Sequence, residues 1–173
     1  MLVIVLAHLA VAGACVWVAR RSRAAAFAVA AVPPALTLVW ALLHAGPALD
    51  GRVAERIEWV PQLGLGLSLR LDALGLVMVV LVSGLGALIL AYSVRYFGPG
   101  SRDAPRTAAL LLAFAGFMLG LVLADDLLTL YVFWELTSIA SFLLVGQGGL
   151  HRANRRAAVQ ALLVTVFGGL AML

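Results

Sequence analysis

The chain has 173 residues, of which 64% are hydrophobic and 12% charged, with a mean hydropathy of +1.10. Soluble domains are roughly 45–50% apolar and about 25% charged. The composition therefore excludes an ordinary water-soluble enzyme, a disordered tail and a secreted disulfide scaffold, and leaves a polytopic membrane protein. Cys15 is the single cysteine and cannot close an internal disulfide, and all twelve basic residues are arginines, set against eight acids. Arginines confined between apolar runs speak to membrane orientation rather than to nucleic acid.

Charge-free runs cover 1–19, 24–49, 73–94, 107–124, 127–150 (broken only by Glu135) and 157–173. About 20 apolar residues cross the hydrocarbon, so the spacing predicts an all-α bundle of about six spans, the sixth barely long enough. The first run has neither a basic leader nor an A-x-A cleavage site, and reads as a retained span. Arg20, Arg21, Arg23, Arg95, Arg102, Arg106, Arg152, Arg155 and Arg156 fall on one side of the membrane. Arg52, Arg56 and Arg70 fall on the other, with Asp50, Glu55, Glu58, Asp72, Asp125 and Asp126. The positive-inside rule puts the N-terminus outside and the three arginine clusters in the cytoplasm.

The outer segment carries the one non-helical pattern. From Gln62 to Asp72 every odd position is leucine (63, 65, 67, 69, 71), alternating with Gln, Gly, Gly, Ser, Arg and Asp. Period-two alternation predicts a short extended segment with its leucines against protein. It cannot span lipid, where a lone strand edge has no partners. Within the spans, Pro33 and Pro34 predict a kink in the second. Ser83, Gly84, Gly86 and Ala87 in the third, and Gly168 and Gly169 in the sixth, suit close helix packing. His8 reads as a hydrogen-bond partner of a neighbouring helix or a proton relay, and His44 as an interfacial residue or a relay. No metal-ligand spacing, phosphate loop or nucleophile elbow is present, so neither a metal, a cofactor nor enzyme chemistry is indicated.

Span five reads DDLLTLYVFWELTSIASFLLVGQ and places Glu135 near its centre. An ionised carboxylate at that depth is unfavourable by about 3 kcal/mol even on lenient insertion scales. Such a group faces a bundle interior, where it is paired, hydrated or protonated, which suits a proton carrier; the bland alternative is a carboxyl that only ties helices together. Tyr131 at i−4 and Ser138 at i+3 share its helical face and are expected to donate to it. Trp134 and Thr137 complete the polar neighbourhood, with Gln160 (also a possible relay) and Thr165 in span six as lining or as interhelical partners.

The stretch LADDLLTLYVFWELTSIASFLLVG, following LRLDALGLVMVVLVSGLGALILAYSVRYF, resembles the proton-translocating antiporter family of complex I membrane-arm subunits and Mrp-type antiporters. Trp134-Glu135 is the broad signal, and ELTSIASFLLVG is closer to the large A subunit of Mrp antiporters than to complex I relatives. The resemblance implies three parts: 1–60 with the first two spans, 61–124 as an N-terminal module, and 125–173 as the start of the central translocation module. It implies that Glu135 pairs with a lysine on a later broken helix. This chain contains no lysine and is expected to be an N-terminal fragment. The implied function is sodium/proton exchange by one member of a hetero-oligomeric complex in the bacterial plasma membrane. Two alternatives remain: the proton-pumping arm of a redox complex (NADH:quinone oxidoreductase or a membrane hydrogenase), and an inactive structural fragment.

Overall fold

The computed structural model describes residues 1–51, 53–60, 62, 65–98, 101, 103–147 and 152–172. Apolar runs without water as a hydrogen-bond partner close their backbone bonds internally as helices, and the elements follow: α1 Leu2–Val18, α2 Arg23–Leu43, a short α3 Ala45–Leu49, β1 Val53–Val60, β2 Leu65–Leu71, α4 Ala73–Tyr96, α5 Ala104–Val122, α6 Leu127–Val145 and α7 Arg152–Met172. Among the described residues, α2, α4, α5 and α6 are long and apolar enough to cross a membrane, and α1 and residues 156–171 of α7 form shorter apolar helices.

Polar residues just ahead of the apolar runs cap the helices. Ser22 accepts from the Ala25 amide (3.3 Å), Asp72 from Gly75 (2.7 Å) and Asp126 from Thr129 (2.7 Å). Two acids that the charge pattern marks only as outer-side residues thus also satisfy the free amides of a helix start.

In the bundle, α1 packs on α5 and α2, α2 on α4, α5 on α4 and α6, and α6 on α7. One core cluster joins Cys15, Phe27, Leu90 and Leu112, and a second joins Val5, Leu69, Leu71, Leu119 and Phe133. Helix α2 continues through Pro33 and Pro34, the Pro33 carbonyl accepting from the Thr37 hydroxyl (2.9 Å). A side chain at Gly86 would meet Pro34 and Ala115 at ordinary contact distance and one at Gly84 would meet open space, so neither glycine is required for the packing of α4. His44 ends α2, its Nδ1 within 2.9 Å of the Trp40 carbonyl and its ring stacked on Trp40.

The extended segment is confirmed over Leu65–Leu71, with Leu69 and Leu71 fully buried; residues 63 and 64 lie outside the described residues, as do Arg52 and Arg102. It is not a lone strand, as the alternation implied. Strand β1 pairs with it antiparallel, Val53 opposite Leu71 and Ile57 opposite Leu67. A two-stranded hairpin is marginal alone, and here it is fixed onto the turn between α5 and α6. The Arg70 amide donates to the Leu123 carbonyl (2.7 Å), the Asp125 amide to the Ser68 carbonyl (2.9 Å), and the Ser68 amide to the Thr129 hydroxyl (2.9 Å).

Candidate functional site

The start of α6 is held by a closed set of bonds. The Thr129 hydroxyl donates to Asp126 Oδ2 (2.8 Å) while receiving the Ser68 amide, and Thr129 is fully buried. Burial pushes the Asp126 carboxyl up, but hydrogen bonds from the Thr129 amide and hydroxyl and from the Ser68 and Leu128 amides outweigh it and hold the group below its ordinary value. Arg70 forms an ion pair with Asp125 at 3.0 Å beside it. One helical turn of about 5.4 Å separates successive faces, so this anchor sets the depth of every side chain that follows.

Glu135 stands near the middle of α6 and points at α7. A Cβ built on Gly169 would lie 2.8 Å from Glu135 Oε1 and 3.1 Å from Trp134 Cδ1, so a side chain there would push the carboxyl aside and crowd the indole. Gly168, its neighbour, faces open space. The Trp134 indole donates to the Thr165 carbonyl (3.3 Å), a second tie between α6 and α7. Glu135 Oε1 is buried and has no hydrogen-bond partner among the described residues. A buried acceptor left unmatched is unfavourable by about 1–3 kcal/mol, so this oxygen is open to a donor from outside the described residues.

The expected donors do not supply one. Ser138 donates instead to the Trp134 carbonyl (3.0 Å), as does Thr137 (2.8 Å), while Tyr131 is half-buried one turn away without a bond to Glu135. Helical spacing puts Ser138 and Tyr131 on the right face, but serine and threonine hydroxyls inside a helix turn back to the carbonyl three or four residues earlier. Gln160 is exposed on α7, nine residues before Gly169, and does not reach the site. At about 1.5 Å per residue that is some 13 Å along the helix. Thr165 does reach it through its carbonyl, its own hydroxyl bonding Leu162 (2.9 Å).

His8 belongs to another layer. It is buried on α1 against Gly116 of α5, with Nδ1 within 2.8 Å of the Ile4 carbonyl of its own helix rather than a neighbour's group, and with Nε2 unpartnered among the described residues.

A pocket of about 330 Å³ opens between α5, α6 and α7, lined mainly by apolar side chains such as Phe114 and Met118 together with Thr137, Ser138, Ser141 and Thr165; Glu135 is not among its lining residues. Sequence reasoning missed Ser141, although it lies three residues after Ser138 on the same face. Among the described residues no group of three His, Cys, Asp or Glu could hold a metal ion.

Two family descriptions match this arrangement: NADH-ubiquinone oxidoreductase (complex I), chain 5 N-terminus, over residues 58–104, and NADH:quinone oxidoreductase/Mrp antiporter, TM, over 124–173. The A subunit of a Na(+)/H(+) antiporter from Alkalihalophilus pseudofirmus is 42% identical over 123 residues, 71% of this chain and 15% of that protein. The A/B subunit of a probable K(+)/H(+) antiporter from Rhizobium meliloti is 45% identical over 135 residues, 78% of this chain and 13% of that protein. In the solved Mrp complex from Dietzia sp. DQ12-45-1b, one chain superposes with a TM-score of 0.84 at 36% identity, covering 98% of this chain and 18% of that one. The chain thus spans about a sixth of the length of these relatives.

Proposed function

This chain belongs to the proton-antiporter family shared by Mrp antiporters and complex I, and from that premise we propose that it forms the N-terminal part of the A subunit of a cation/proton antiporter, with Glu135 as its proton carrier. Residues 61–124 act as the N-terminal module and 125–173 begin the translocation module. The protein works in a hetero-oligomeric complex of the bacterial plasma membrane, with six spans, the N-terminus outside and the arginine clusters in the cytoplasm. It is a transporter rather than an enzyme.

The observation that carries the assignment is Glu135 Oε1, buried at mid-helix against Gly169 with no donor among the described residues. A carboxyl that holds and releases a proton needs an acceptor that a donor can reach, and this oxygen is turned toward α7 at Gly169.

Sodium is the proposed coupling cation. Relatives named for sodium and for potassium are nearly equally similar, 42% and 45% identical, which supports a role of this segment in the proton half of the exchange, with cation choice made elsewhere. The match of 58–104 to a complex I description favours a second reading, a redox-driven proton pump built on the same carboxyl.

The test uses the full-length protein in everted vesicles, with a pH-sensitive dye read after addition of sodium or potassium. Glu135→Gln keeps the volume and hydrogen-bonding capacity but cannot ionise, and is expected to abolish exchange with protein levels unchanged on a blot. Glu135→Asp is expected to retain partial activity. Normal exchange in the Gln variant would sink the proton-carrier assignment, and proton movement driven by an electron donor without added cation would favour the redox reading.

A further inference from the structure

On the arginine-rich side of the bundle the turn between α1 and α2 faces the end of α4 across a pocket of about 540 Å³. Arg20, Arg21, Arg23 and Arg95 line it, over a floor that includes Val94 and Phe97. Among the described residues no carboxylate pairs with any of the four. Membrane sorting explains arginines scattered along a loop, but not their convergence from two separate segments on one concavity. Four like charges sharing a pocket repel one another, and an anion relieves that repulsion.

The floor is rigid: Phe97 stacks on Phe27 with ring centroids 5.0 Å apart and meets Tyr96 edge-on. Arg21, which lines the pocket, lies over the Trp17 ring at 5.0 Å, and Trp17 is largely exposed. Tryptophan and tyrosine with one polar end settle at the headgroup level of a bilayer. Below Trp17 exposed apolar side chains continue along α1, Val16 and Leu6 among them. A free anion would use only the arginines; an anion with hydrocarbon tails uses the arginines, Trp17 and the apolar face of α1.

We propose that this pocket binds the phosphodiester headgroup of an anionic phospholipid from the adjoining leaflet, its acyl chains lying along α1. Guanidinium groups suit phosphate through paired N–H donors, and basic pockets between membrane helices are known anionic-lipid sites. This inference does not depend on Glu135 or on the identity of the transported cation.

The experiment is native mass spectrometry of the full-length protein, in the assembly in which it purifies, released from vesicles of phosphatidylcholine containing a minority of phosphatidylglycerol. Wild type is expected to retain phosphatidylglycerol in preference to phosphatidylcholine. Arg21→Gln/Arg95→Gln is expected to lower that preference by about fivefold per arginine, on the order of twentyfold for the pair. Arg156→Gln, exposed on α7 and outside the pocket, is expected to leave it unchanged; an equal drop there means diffuse surface charge and overturns the proposal. If the Gln pair fails to insert, Arg21→Lys/Arg95→Lys keeps the charge that sorts the helices. The Lys pair is expected to lose about threefold or more through the missing paired donors, and a wild-type ratio there also overturns a shaped site. Displacement of the lipid by excess inorganic phosphate without any effect of chain length would identify a free anion and refute the lipid. Loss of a co-purifying protein from the Gln pair, with lipid retention unchanged, would assign the pocket to a protein carboxylate and refute it as well.

Discussion

Gly120 of α5 sets how near α6 comes to it. A Cβ built there would fall 2.5 Å from Phe133 Cζ and nearer still to Cε1, on the ring edge of a residue only 4% exposed. Carbon atoms rest comfortably at about 3.5–4.0 Å, so Gly120→Ala introduces an overlap of about 1 Å that a buried ring cannot escape by swinging outward. Overpacking of this kind destabilises by about 1–3 kcal/mol. Phe133→Leu removes the ring edge and alone is expected to cost about 1 kcal/mol, because it trades one apolar side chain for a smaller one. The double variant is therefore expected to be more stable than the sum of the singles, with a coupling of about 1 kcal/mol or more. The assay is retention of the monodisperse peak of the detergent-solubilised full-length protein after heating across a temperature series. Gly120→Ala should lower the midpoint by a few degrees and the double variant should recover much of that loss. Strict additivity, or a wild-type midpoint for Gly120→Ala, would refute the close α5–α6 approach.

Three further outcomes can be checked directly. Gly169→Ala places a methyl 2.8 Å from Glu135 Oε1; because the carboxyl is the movable partner, exchange is expected to fall roughly tenfold or more with assembly intact, while Gly168→Ala, facing open space, leaves dye-monitored exchange unchanged. Asp126→Ala is expected to cost about 1 kcal/mol through the lost cap. Since the folded carboxyl lies below its ordinary 3.8, its contribution is fully present above that value and is lost as pH falls through the lower folded one. Asp126→Asn, a good cap without a titrating group, should therefore flatten the acid limb of a stability–pH curve. For the topology, Ser101→Cys on a Cys15→Ala background should resist impermeant maleimide from outside intact cells; labelling there would invert the assignment.

The helices were legible because a helix in lipid needs only a long charge-free run, and the runs ending at Arg20, Arg95 and Asp125 closely match where α1, α4 and α5 stop. Strand β2 was legible from its leucines. Its partner was not: Val53–Val60 carries Glu55, Arg56 and Glu58 around a single Ile57, with no clean period, and becomes a strand because β2 offers it an edge. Asp72 and Asp126 stand directly before apolar helices, a start signal that a reading for charge sidedness passed over. Glu135 was legible from the expense of its burial, but its surroundings were not. Which of two adjacent glycines faces it depends on the rotation of α7, and whether Ser138 bonds it depends on competition with the helix's own carbonyls.

These contacts together set where the carboxyl stands. The N-terminal end of α6 is fixed in depth by Asp126 and by β2 through Thr129 and Ser68. Its distance from α5 is fixed at Gly120, and its distance from α7 at Gly169 and by the Trp134–Thr165 bond. All these constraints act on backbone or on the residues flanking Glu135, and among the described residues none occupies Oε1. Under the proposed proton-carrier role, this frame sets the position from which the carboxyl meets its donor. The consequence is specific: variants that loosen the frame, such as Asp126→Ala, should slow exchange by misplacing a group that can still titrate, whereas Glu135→Gln removes the titration and leaves the frame in place.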